Sequence, residues 1–428
     1  MSQKISTESY KGVRDFYPED MFVLNYIFDI WKKTVESFGY TQYDASILES
    51  AELYKAKSGE EIVNEQTYTF IDRGEREVTL RPEMTPTVAR MVAAREKELP
   101  FPLRWFSIPN LFRYEKPQRG RLREHWQLNV DLFGIESKNA DSEVIKIAYT
   151  IMKNYGAKDE DFIIRLNSRK ILKDLYKHFS IPEDNSHKLS KIIDKKDKIS
   201  EDIFKTSVEE VLGEKTKDFI RMISSNEILL NTLGSENKNV EDLVVLIETL
   251  EANGIKNIKF DPTLMRGFDY YTGTVFEVFD TSPENNRSIF GGGRYDDLLD
   301  IFGSQKVPAI GFGAGDVTAR DFLETHNLLP HYTSSSRLFI GTVKEEFIQN
   351  AQYLANALRS EGINVTVNLT NKKIGDQVKL ALKQKVPYFL AIGDYEIKSD
   401  KYTLKHLESE NENKVTVSEI VEIIKKTQ

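Results

Sequence analysis

Residues 104–134 read RWFSIPNLFRYEKPQRGRLREHWQLNVDLFG, and this stretch decides the fold of the chain. Its apolar and aromatic beginning predicts one buried strand over about 105–112. Its end carries Leu128, Val130 and Leu132 on alternate positions, which predicts a second strand leaving the loop. The stretch is therefore typical of a hairpin.

The loop of this hairpin is strongly basic, and Gly120 permits a turn where a side chain would obstruct the backbone. Its charged residues are Arg113, Lys116, Arg119, Arg121 and Arg123, against Glu115 and Glu124. One interpretation is a solvated turn. The other is an anion site, because guanidinium groups bind phosphate or carboxylate oxygens in pairs. The loop by itself leaves both open.

The composition bounds the class of protein. With 428 residues, 40% apolar and 29% charged, the chain is long enough for two or three globular domains. A net charge of −8 argues against wrapping by nucleic acid, although a local basic patch is compatible with it. The absence of cysteine excludes disulfides, thiolate catalysis and cysteine-ligated zinc. No apolar run reaches the roughly 18 residues of a membrane-spanning helix, so we expect a soluble cytoplasmic protein without membrane partners.

The first half of the chain predicts helices and strands in alternation. Apolar spacing predicts a helix from about Pro18 to Ser37 that stops at Gly39 and is followed by a short strand. Residues 66–83 predict a hairpin that turns near Arg73 and Gly74. Two more helices are predicted, one opened by Pro86 and running to about Lys97, the other over Asp141–Tyr155.

The second half changes texture twice. Residues 170–254 are rich in lysine, acidic residues and leucine, and predict a helical insertion. Strands are predicted over Thr274–Phe279 and Val307–Phe312. After the linker at 331–336, strands and helices alternate, which predicts a small α/β domain with a largely parallel sheet over 337–428.

Two segments suit a small-molecule pocket. RGFDYYTG at 266–273 places polar and aromatic groups at a strand entrance. A tyrosine-rich turn is the alternative. Glu83 and Thr85, at a strand-to-helix joint, could accept hydrogen bonds from an ammonium group, or could serve only as a surface carboxylate and a helix cap.

Several motifs together resemble one family, the histidyl-tRNA synthetases of the class II fold. They are LRPEMTPTVAR at 80–90, motif 2 at 113–127 (RYEKPQRGRLREHWQ), RGFDYYTGTVFE at 266–277 and GGGRYDDL at 291–298. The third is the most specific for histidine. The resemblance implies an α+β class II catalytic domain over 1–330 with an antiparallel sheet and the helical insertion, followed by the linker and a C-terminal α/β anticodon-binding domain.

The resemblance also implies the reaction. L-histidine reacts with ATP to give histidyl-adenylate and pyrophosphate, and the histidyl group then passes to the 3′ end of tRNA(His). Magnesium is expected with ATP, and a homodimer is expected as the assembly. Three alternatives remain: a non-catalytic regulatory subunit of histidine biosynthesis, a tRNA-binding module without aminoacylation, and a class II synthetase for another amino acid, which RGFDYYTG disfavours.

The resemblance carries roles onto particular residues. Arg113 and Arg266 are expected to be catalytic and to meet the carboxylate and the α-phosphate. The histidine site is expected to comprise Glu83, Met84, Thr85, Arg113, Gln127, Asp131, Arg266, Tyr270 and Tyr271. The ATP contacts are expected to be Arg113, Glu115, Arg121, His125 and Arg266. The tRNA acceptor end is expected to meet Gln118, Arg119 and Arg123.

Two segments depart from the family pattern. Ser46 stands where family members often carry a proline. Motif 3, which usually ends GxERx, reads GAGDVTAR at 313–320 in this chain. Thr318 therefore stands in the place of the arginine that holds ATP, with Arg320 as a possible substitute.

Overall fold

The computed structural model describes residues 5–55, 66–196, 199–234, 236–265, 270–285 and 287–426. The chain divides into two compact units, Met1–Pro330 and His331–Gln428. Each has its own apolar core. No helix in these described ranges is long and apolar enough to cross a membrane.

The first unit begins with helices and short strands that lead into a long central strand. Its elements up to the insertion are α1 Pro18–Ser37, β1 Thr41–Gln42, β2 Leu48–Ser50, α2 Ala51–Lys55, β3 Tyr68–Ile71, β4 Glu77–Leu80, α3 Thr85–Ala94, β5 Leu103–Ser107, β6 Asn110–Phe112, β7 Glu124–Phe133, α4 Lys138–Asn154 and β8 Phe162–Ser168.

A set of helices then interrupts the sheet, which confirms the predicted helical insertion. These helices are α5 Arg169–His178, α6 Glu183–Asp194, α7 Glu201–Leu212, α8 Thr216–Ile223, α9 Asn226–Leu233 and α10 Lys238–Ala252. The unit closes with β9 Ile258–Phe260, β10 Thr274–Asp280, β11 Ser288–Arg294, β12 Ala309–Gly315 and α11 Asp316–Thr325.

The central sheet is antiparallel in its middle and parallel at its edges. Among the described residues the strand order is β1-β5-β7-β12-β11-β10-β8-β9, with β6 also paired to β7. The outer pairs β1–β5 and β8–β9 are parallel, and the pairs between them are antiparallel. A separate three-stranded sheet has the order β2-β4-β3 and contains the predicted hairpin.

One face of the sheet packs against α1 and α4. Leu128, Val130 and Leu132 of β7 are buried in this core, as the alternating pattern predicts. Ile27, Trp31 and Val35 of α1 fall on one helical face and pack into it. Trp31 Nε1 donates a hydrogen bond to Tyr155 Oη across 2.5 Å, which ties α1 to the end of α4.

The predicted strand over 105–112 is wrong as one strand, because it is two. β5 pairs with β7 at residues 129–133, and β6 pairs with β7 at residues 124–126. Pro109 separates them, since proline has no backbone N–H to donate to a ladder. Its carbonyl instead accepts from the Gln127 N–H across 3.0 Å.

Three other boundaries differ from the sequence prediction. α3 ends at Ala94 rather than near Lys97, because the chain turns at Arg95 ahead of Pro100. α4 begins at Lys138, three residues before Asp141. β12 runs over Ala309–Gly315 rather than Val307–Phe312, because Pro308 cannot donate to the ladder.

The second unit is a sheet with helices between its strands. Its elements are β13 Leu338–Thr342, α12 Ile348–Ser360, β14 Val365–Val367, α13 Ile374–Lys383, β15 Tyr388–Ile392, α14 Asp394–Ser399, β16 Tyr402–His406, β17 Glu412–Val415 and α15 Val417–Lys426. The sheet order is β14-β13-β15-β16-β17. Strands β14, β13 and β15 are parallel to one another. The pairs β15–β16 and β16–β17 are antiparallel, so the expectation of a largely parallel sheet is wrong for β16 and β17.

Strands β10, β11 and β12 approach one another at glycines. A Cβ on Gly291 would lie 2.5 Å from Phe276 O, and one on Gly293 would lie 2.7 Å from Thr274 O. A Cβ on Gly292 would lie 2.5 Å from Phe312 Cβ and closer still to the Gly311 carbonyl oxygen. These atoms belong to backbone or to packed core, so they cannot move aside cheaply.

Gly292→Ala should therefore destabilise the first unit by about 3 kcal/mol or more, at the upper end of the cost of overpacking. Urea unfolding followed by circular dichroism measures the loss. Gly375→Ala is the control, because a Cβ there meets nothing within 4 Å and the residue lies in α13. Equal stability of the Gly292 variant and the parent would contradict the close approach.

Candidate active site

The candidate site lies on the face of the central sheet opposite the α1 and α4 core. Gln127 and Asp131 of β7 point to this face because side chains alternate along a strand. Glycines of β12 stand beside both. A Cβ on Gly313 would lie 2.7 Å from Gln127 Cδ, and one on Gly311 would lie 2.6 Å from Asp131 Oδ1. The two polar side chains thus occupy space that β12 leaves open.

Asp131 is a buried carboxylate held by two tyrosines. Tyr295 Oη donates to Asp131 Oδ1, and Tyr43 Oη donates to Oδ2 across 3.5 Å. Burial raises the pKa of Asp131 to about 7, and the two hydroxyl donors oppose the rise. The carboxyl group therefore changes charge near neutral pH.

Three tyrosine rings form a cluster beside Asp131. The ring centroids of Tyr270 and Tyr271 are 5.1 Å apart, and that of Tyr295 lies 5.8 Å from Tyr270 and 6.4 Å from Tyr271. Burial raises the pKa of all three phenols. Their hydroxyls are therefore neutral near pH 7 and can both donate and accept hydrogen bonds.

A second buried carboxylate belongs to Glu83, which is 2% exposed and precedes α3. Tyr270 Oη donates to Glu83 Oε2 across 3.1 Å. A hydrogen bond with Thr85 lowers the pKa of Tyr270, against the dominant effect of burial. Met84, between the two polar residues, is fully buried. The predicted ammonium-binding residues Glu83 and Thr85 therefore share one tyrosine partner.

Arg81 fixes the segment that carries Glu83. Its guanidinium is buried, and its Nε donates to Asn110 O across 3.0 Å. Its Nη1 donates to Ala45 O across 2.7 Å. Arg113 makes a similar tie from motif 2, because its Nε donates to Pro82 O across 2.8 Å. The segment before α3 is thus bound from both sides.

His125 lies next to two arginines at the start of β7. Burial, with smaller contributions from the charges of Arg113 and Arg14, lowers the pKa of His125 to about 3. The imidazole is therefore neutral at physiological pH. It can present a ring face or a lone pair, but not a positive charge.

The motif 2 loop is ordered by its own charges. Arg121 Nη1 lies 3.3 Å from Glu115 Oε2, and the Gln118 and Arg121 backbones exchange two hydrogen bonds. Arg123 lies 4.0 Å over the Tyr114 ring and donates to Glu115 O across 3.2 Å. These predicted ATP and acceptor-end residues are therefore close together.

Arg119 lies at the tip of the same loop and reaches a different part of the unit. Its Nη1 donates to Glu284 O across 3.3 Å, and its Nε lies 3.9 Å from Asp321 on α11. Arg266, the other predicted catalytic arginine, lies outside the described residues.

Comparison with known proteins identifies the family. A model of the family described as "Histidyl-tRNA synthetase" matches residues 12–317, and a model described as "Anticodon binding domain" matches residues 337–427. The chain belongs to the histidyl-tRNA synthetase family. Its fold is accordingly the class II catalytic fold with a C-terminal anticodon-binding domain, as the sequence predicts.

Relatives resemble this family member along nearly its whole length. "Histidine--tRNA ligase" of Leptospira biflexa is 44% identical, over 99% of this chain and 98% of that protein. The crystal structure of histidyl-tRNA synthetase from Nostoc sp. PCC 7120 superposes with a TM-score of 0.86 at 26% identity, covering 99% of this chain and 100% of that one. An "ATP phosphoribosyltransferase regulatory subunit/histidyl-tRNA synthetase" from Bacillus halodurans C gives a TM-score of 0.75 at 25% identity, covering 91% and 99%.

In motif 3, neither Thr318 nor Arg320 offers an unpaired positive charge to ATP. Thr318 Oγ1 donates to Ile289 O across 2.6 Å. Arg320 is held by two carboxylates, with its Nη1 3.0 Å from Asp20 Oδ1 and its Nε 2.9 Å from Glu324 Oε1. Arg320 is therefore engaged in surface ion pairs on α11.

Sequence reasoning missed Tyr43, Tyr295, Arg14 and Asp316. Tyr295 follows the glycine run within GGGRYDDL, a position that the family resemblance singled out only as a motif. Tyr43 lies beyond α1 with no signal of its own. Arg14 and Asp316 form an ion pair of 2.7 Å between residues 302 positions apart, which no local pattern reveals.

The raised pKa of Asp131 predicts a pH-dependent stability. Folded Asp131 keeps its proton to about pH 7, whereas an unfolded aspartate loses it near pH 4. Stability should therefore fall as pH rises from about 4 to about 7, by up to about 4 kcal/mol. Urea unfolding at pH 5 and pH 8 measures the change, and Asp131→Asn should abolish most of it.

Asp159→Asn is the control for this measurement. A hydrogen bond from Lys153 lowers the pKa of Asp159, so that it titrates below the range tested. The control should leave the difference between pH 5 and pH 8 as it is in the parent. An unchanged difference in the Asp131 variant would show that other groups cause it.

Proposed function

We propose that the protein is a histidine–tRNA ligase that uses MgATP, L-histidine and tRNA(His). The observation that carries this proposal is a cluster of two buried carboxylates joined by tyrosines. Tyr270 Oη bonds Glu83, Tyr295 Oη bonds Asp131, and the two rings lie 5.8 Å apart. Histidine has the matching donors, an ammonium group at one end and an imidazole N–H at the other.

The imidazole is recognised by Asp131 and Tyr271. A neutral imidazole has one N–H donor and one lone pair, so the carboxylate accepts from one nitrogen and the phenol donates to the other. The ammonium group meets Glu83, Thr85 and Gln127. Amino acids without this donor pattern would leave buried polar groups unpaired, which gives the selectivity for histidine.

Activation joins histidine to AMP. A histidine carboxylate oxygen attacks the α-phosphorus of ATP, the new O–P bond forms, and the bond to the β-phosphate oxygen breaks to release pyrophosphate. Arg113, fixed through its Nε on Pro82 O, and Arg266 neutralise the charge at the α-phosphate. Positioning and charge neutralisation suffice, so no nucleophilic side chain is needed.

We expect Mg²⁺ to be bound by the phosphates of ATP, as is common at nucleotide sites. Glu115, Arg121 and His125 provide further contacts for the nucleotide. His125 is neutral and half-buried, so it offers a ring face rather than charge. The acidic Glu115 is balanced by Arg121 across 3.3 Å.

Transfer completes the reaction. A hydroxyl of the terminal ribose of tRNA attacks the carbonyl carbon of histidyl-adenylate, and AMP leaves. Gln118, Arg119 and Arg123 meet the acceptor end, and the second unit, with residues 331–336 as a linker and 337–428 as the domain, binds the anticodon. We place the enzyme in the cytoplasm as a homodimer.

A regulatory subunit of histidine biosynthesis is the second candidate, because the Bacillus halodurans C neighbour is described as both a regulatory subunit and a histidyl-tRNA synthetase. Such a protein keeps the fold without the reaction. The 44% identity to the Leptospira biflexa histidine--tRNA ligase over 99% of this chain, against 25% identity to that neighbour, favours the ligase.

Histidine-dependent exchange of pyrophosphate into ATP tests the proposal, with the other amino acids as controls. Exchange with histidine alone supports the ligase and shows that the protein uses ATP despite its altered motif 3. Folded protein that binds histidine without exchange would favour the regulatory subunit.

Glu83→Gln should raise the KM for histidine on the order of 10- to 100-fold, the size of a lost charge-assisted hydrogen bond, while the KM for ATP changes little. Glu49→Gln is the matched control, because the Glu49 carboxylate pairs with Arg90 of α3 across 2.9 Å and is not assigned to the histidine site. A parallel rise for both substrates would contradict the role of Glu83 in ammonium binding.

Ending the chain at Pro330 should spare adenylate formation and abolish most tRNA charging, since each unit has its own core. The exchange assay and aminoacylation of tRNA(His) measure the two activities. Full charging by the shortened chain would contradict a role of the second unit in tRNA binding.

A further inference from the structure

Motif 3 needs a replacement for its missing arginine. Thr318 has no charge, and its hydroxyl bonds backbone carbonyls at Ile289 and Gly315 across 2.6 and 3.1 Å. Arg320 is taken up by Asp20 and Glu324. If the enzyme binds ATP as proposed, the contact that the motif 3 arginine makes in the family falls to another cation.

The same segment holds an arginine from the beginning of the chain. Asp316, the first residue of α11, is fully buried, and its Oδ2 lies 2.7 Å from Arg14 Nη2. Its other oxygen accepts from the Trp126 N–H of β7 across 2.8 Å. Asp316 thus joins motif 3, motif 2 and the residue 14 segment at one point.

Arg14 is oriented but not saturated. Its side chain is 21% exposed and lies 4.8 Å over the Phe16 ring. Its Nε is buried without a hydrogen-bond partner among the described residues. In that same part of the chain, Nη2 is the only atom of its guanidinium that donates. Donors are therefore available for a ligand, in a fork that suits phosphate oxygens.

Arg14 also lies near residues assigned above to ATP, because Asp316 joins it to the backbone of Trp126, the neighbour of His125. Its charge and that of Arg113 both act on His125, where they add to the effect of burial in lowering the pKa. His125 and Arg113 are two of the residues proposed above to contact ATP. Arg14 therefore lies within electrostatic range of that contact surface.

We propose that Arg14, oriented by Asp316, binds the phosphates of ATP in the place of the motif 3 arginine. The inference rests on the proposed ATP-dependent activation and adds a binding residue to it. Because Asp316 balances the charge of Arg14, the contribution comes from directed N–H donors rather than from net charge. The carboxylate acts as a brace that keeps the fork in one orientation.

Arg287 is the rival for this role. A Cβ on Gly120 would lie 3.7 Å from Thr318 Cγ2 and 3.8 Å from Arg287 Nη1. Arg287 is therefore near Thr318, the residue at the position of the motif 3 arginine. Its side chain is exposed, however, and its Nη1 donates to Arg119 O across 2.6 Å. It therefore braces the loop tip.

The test compares Arg14→Gln with Arg287→Gln and a matched control. Arg165→Gln is that control, because Arg165 also pairs with an aspartate, Asp261, and lies 4.2 Å over a phenylalanine ring, Phe279, but is not among the residues assigned to ATP. Calorimetric titration with MgATP and the KM for ATP in pyrophosphate exchange are the readouts. Arg14→Gln should weaken ATP on the order of 10- to 100-fold, and the other two should change it less than about twofold.

Two further variants separate binding from folding. Arg14→Gln combined with Asp316→Asn removes both members of the buried pair, and the asparagine oxygen can still accept from Trp126, so the fold is protected. ATP binding should stay weak in this double variant. Adding Thr318→Arg should restore much of it, because the motif then has its own guanidinium.

The outcomes are distinct. Parent-like ATP affinity in folded Arg14→Gln, or its recovery in the double variant, would show that Arg14 only neutralises Asp316 and would overturn the inference. A loss confined to Arg287→Gln would transfer the role to Arg287. Absence of exchange in the parent would instead refute the proposed activity, while the MgATP titration would still report on Arg14.

Discussion

The close backbone approach of β10, β11 and β12 is the constraint on which the first unit depends. No side chain fits between these strands at Gly291, Gly292 and Gly293. The sheet therefore has bare backbone where a core sheet ordinarily has packed side chains. Polar and aromatic groups of neighbouring elements fill that space, with Gln127 beside Gly313 and Asp131 beside Gly311. The arrangement of the site thus depends on the missing Cβ atoms as much as on the polar groups.

A second property follows from the way the pocket treats charge. Glu83 and Asp131 are both buried, and the hydrogen bonds that hold Asp131 come from tyrosine hydroxyls rather than from a cation. Burying a carboxylate without a positive partner is unfavourable, and the raised pKa of Asp131 expresses that cost. A cationic or N–H-rich ligand relieves it. At the other end of the site the balance is reversed, since the positive charges of Arg113 and Arg14 act on the neutral His125.

The sequence carries much of the fold but only part of the site. Apolar residues recur every second residue in β7 and with a period of about 3.6 residues in the helix Pro18–Ser37. Each pattern is visible in the local sequence because each element buries one face. Pro109 divides a strand that hydrophobicity alone joins, and α14 in the second unit has too few residues for a periodic signal. The partners of Asp131 could not be foreseen, because Tyr295 is 164 residues away along the chain. Family motifs name the residues of the pocket, but only the folded chain pairs Arg14 with Asp316.

The chain has three tryptophans, and the structure gives each a separate position in the first unit. Trp31 lies in the core between α1 and α4, and Trp105 lies 5.6 Å from the ring of Tyr43, which bonds Asp131. Trp126 follows His125 near the start of β7, and its backbone N–H donates to Asp316. Indole fluorescence therefore gives an optical signal from the first unit alone, to which the second unit contributes no tryptophan. Substituting two of the three would isolate a reporter of the core, of the amino-acid end of the pocket or of its nucleotide end.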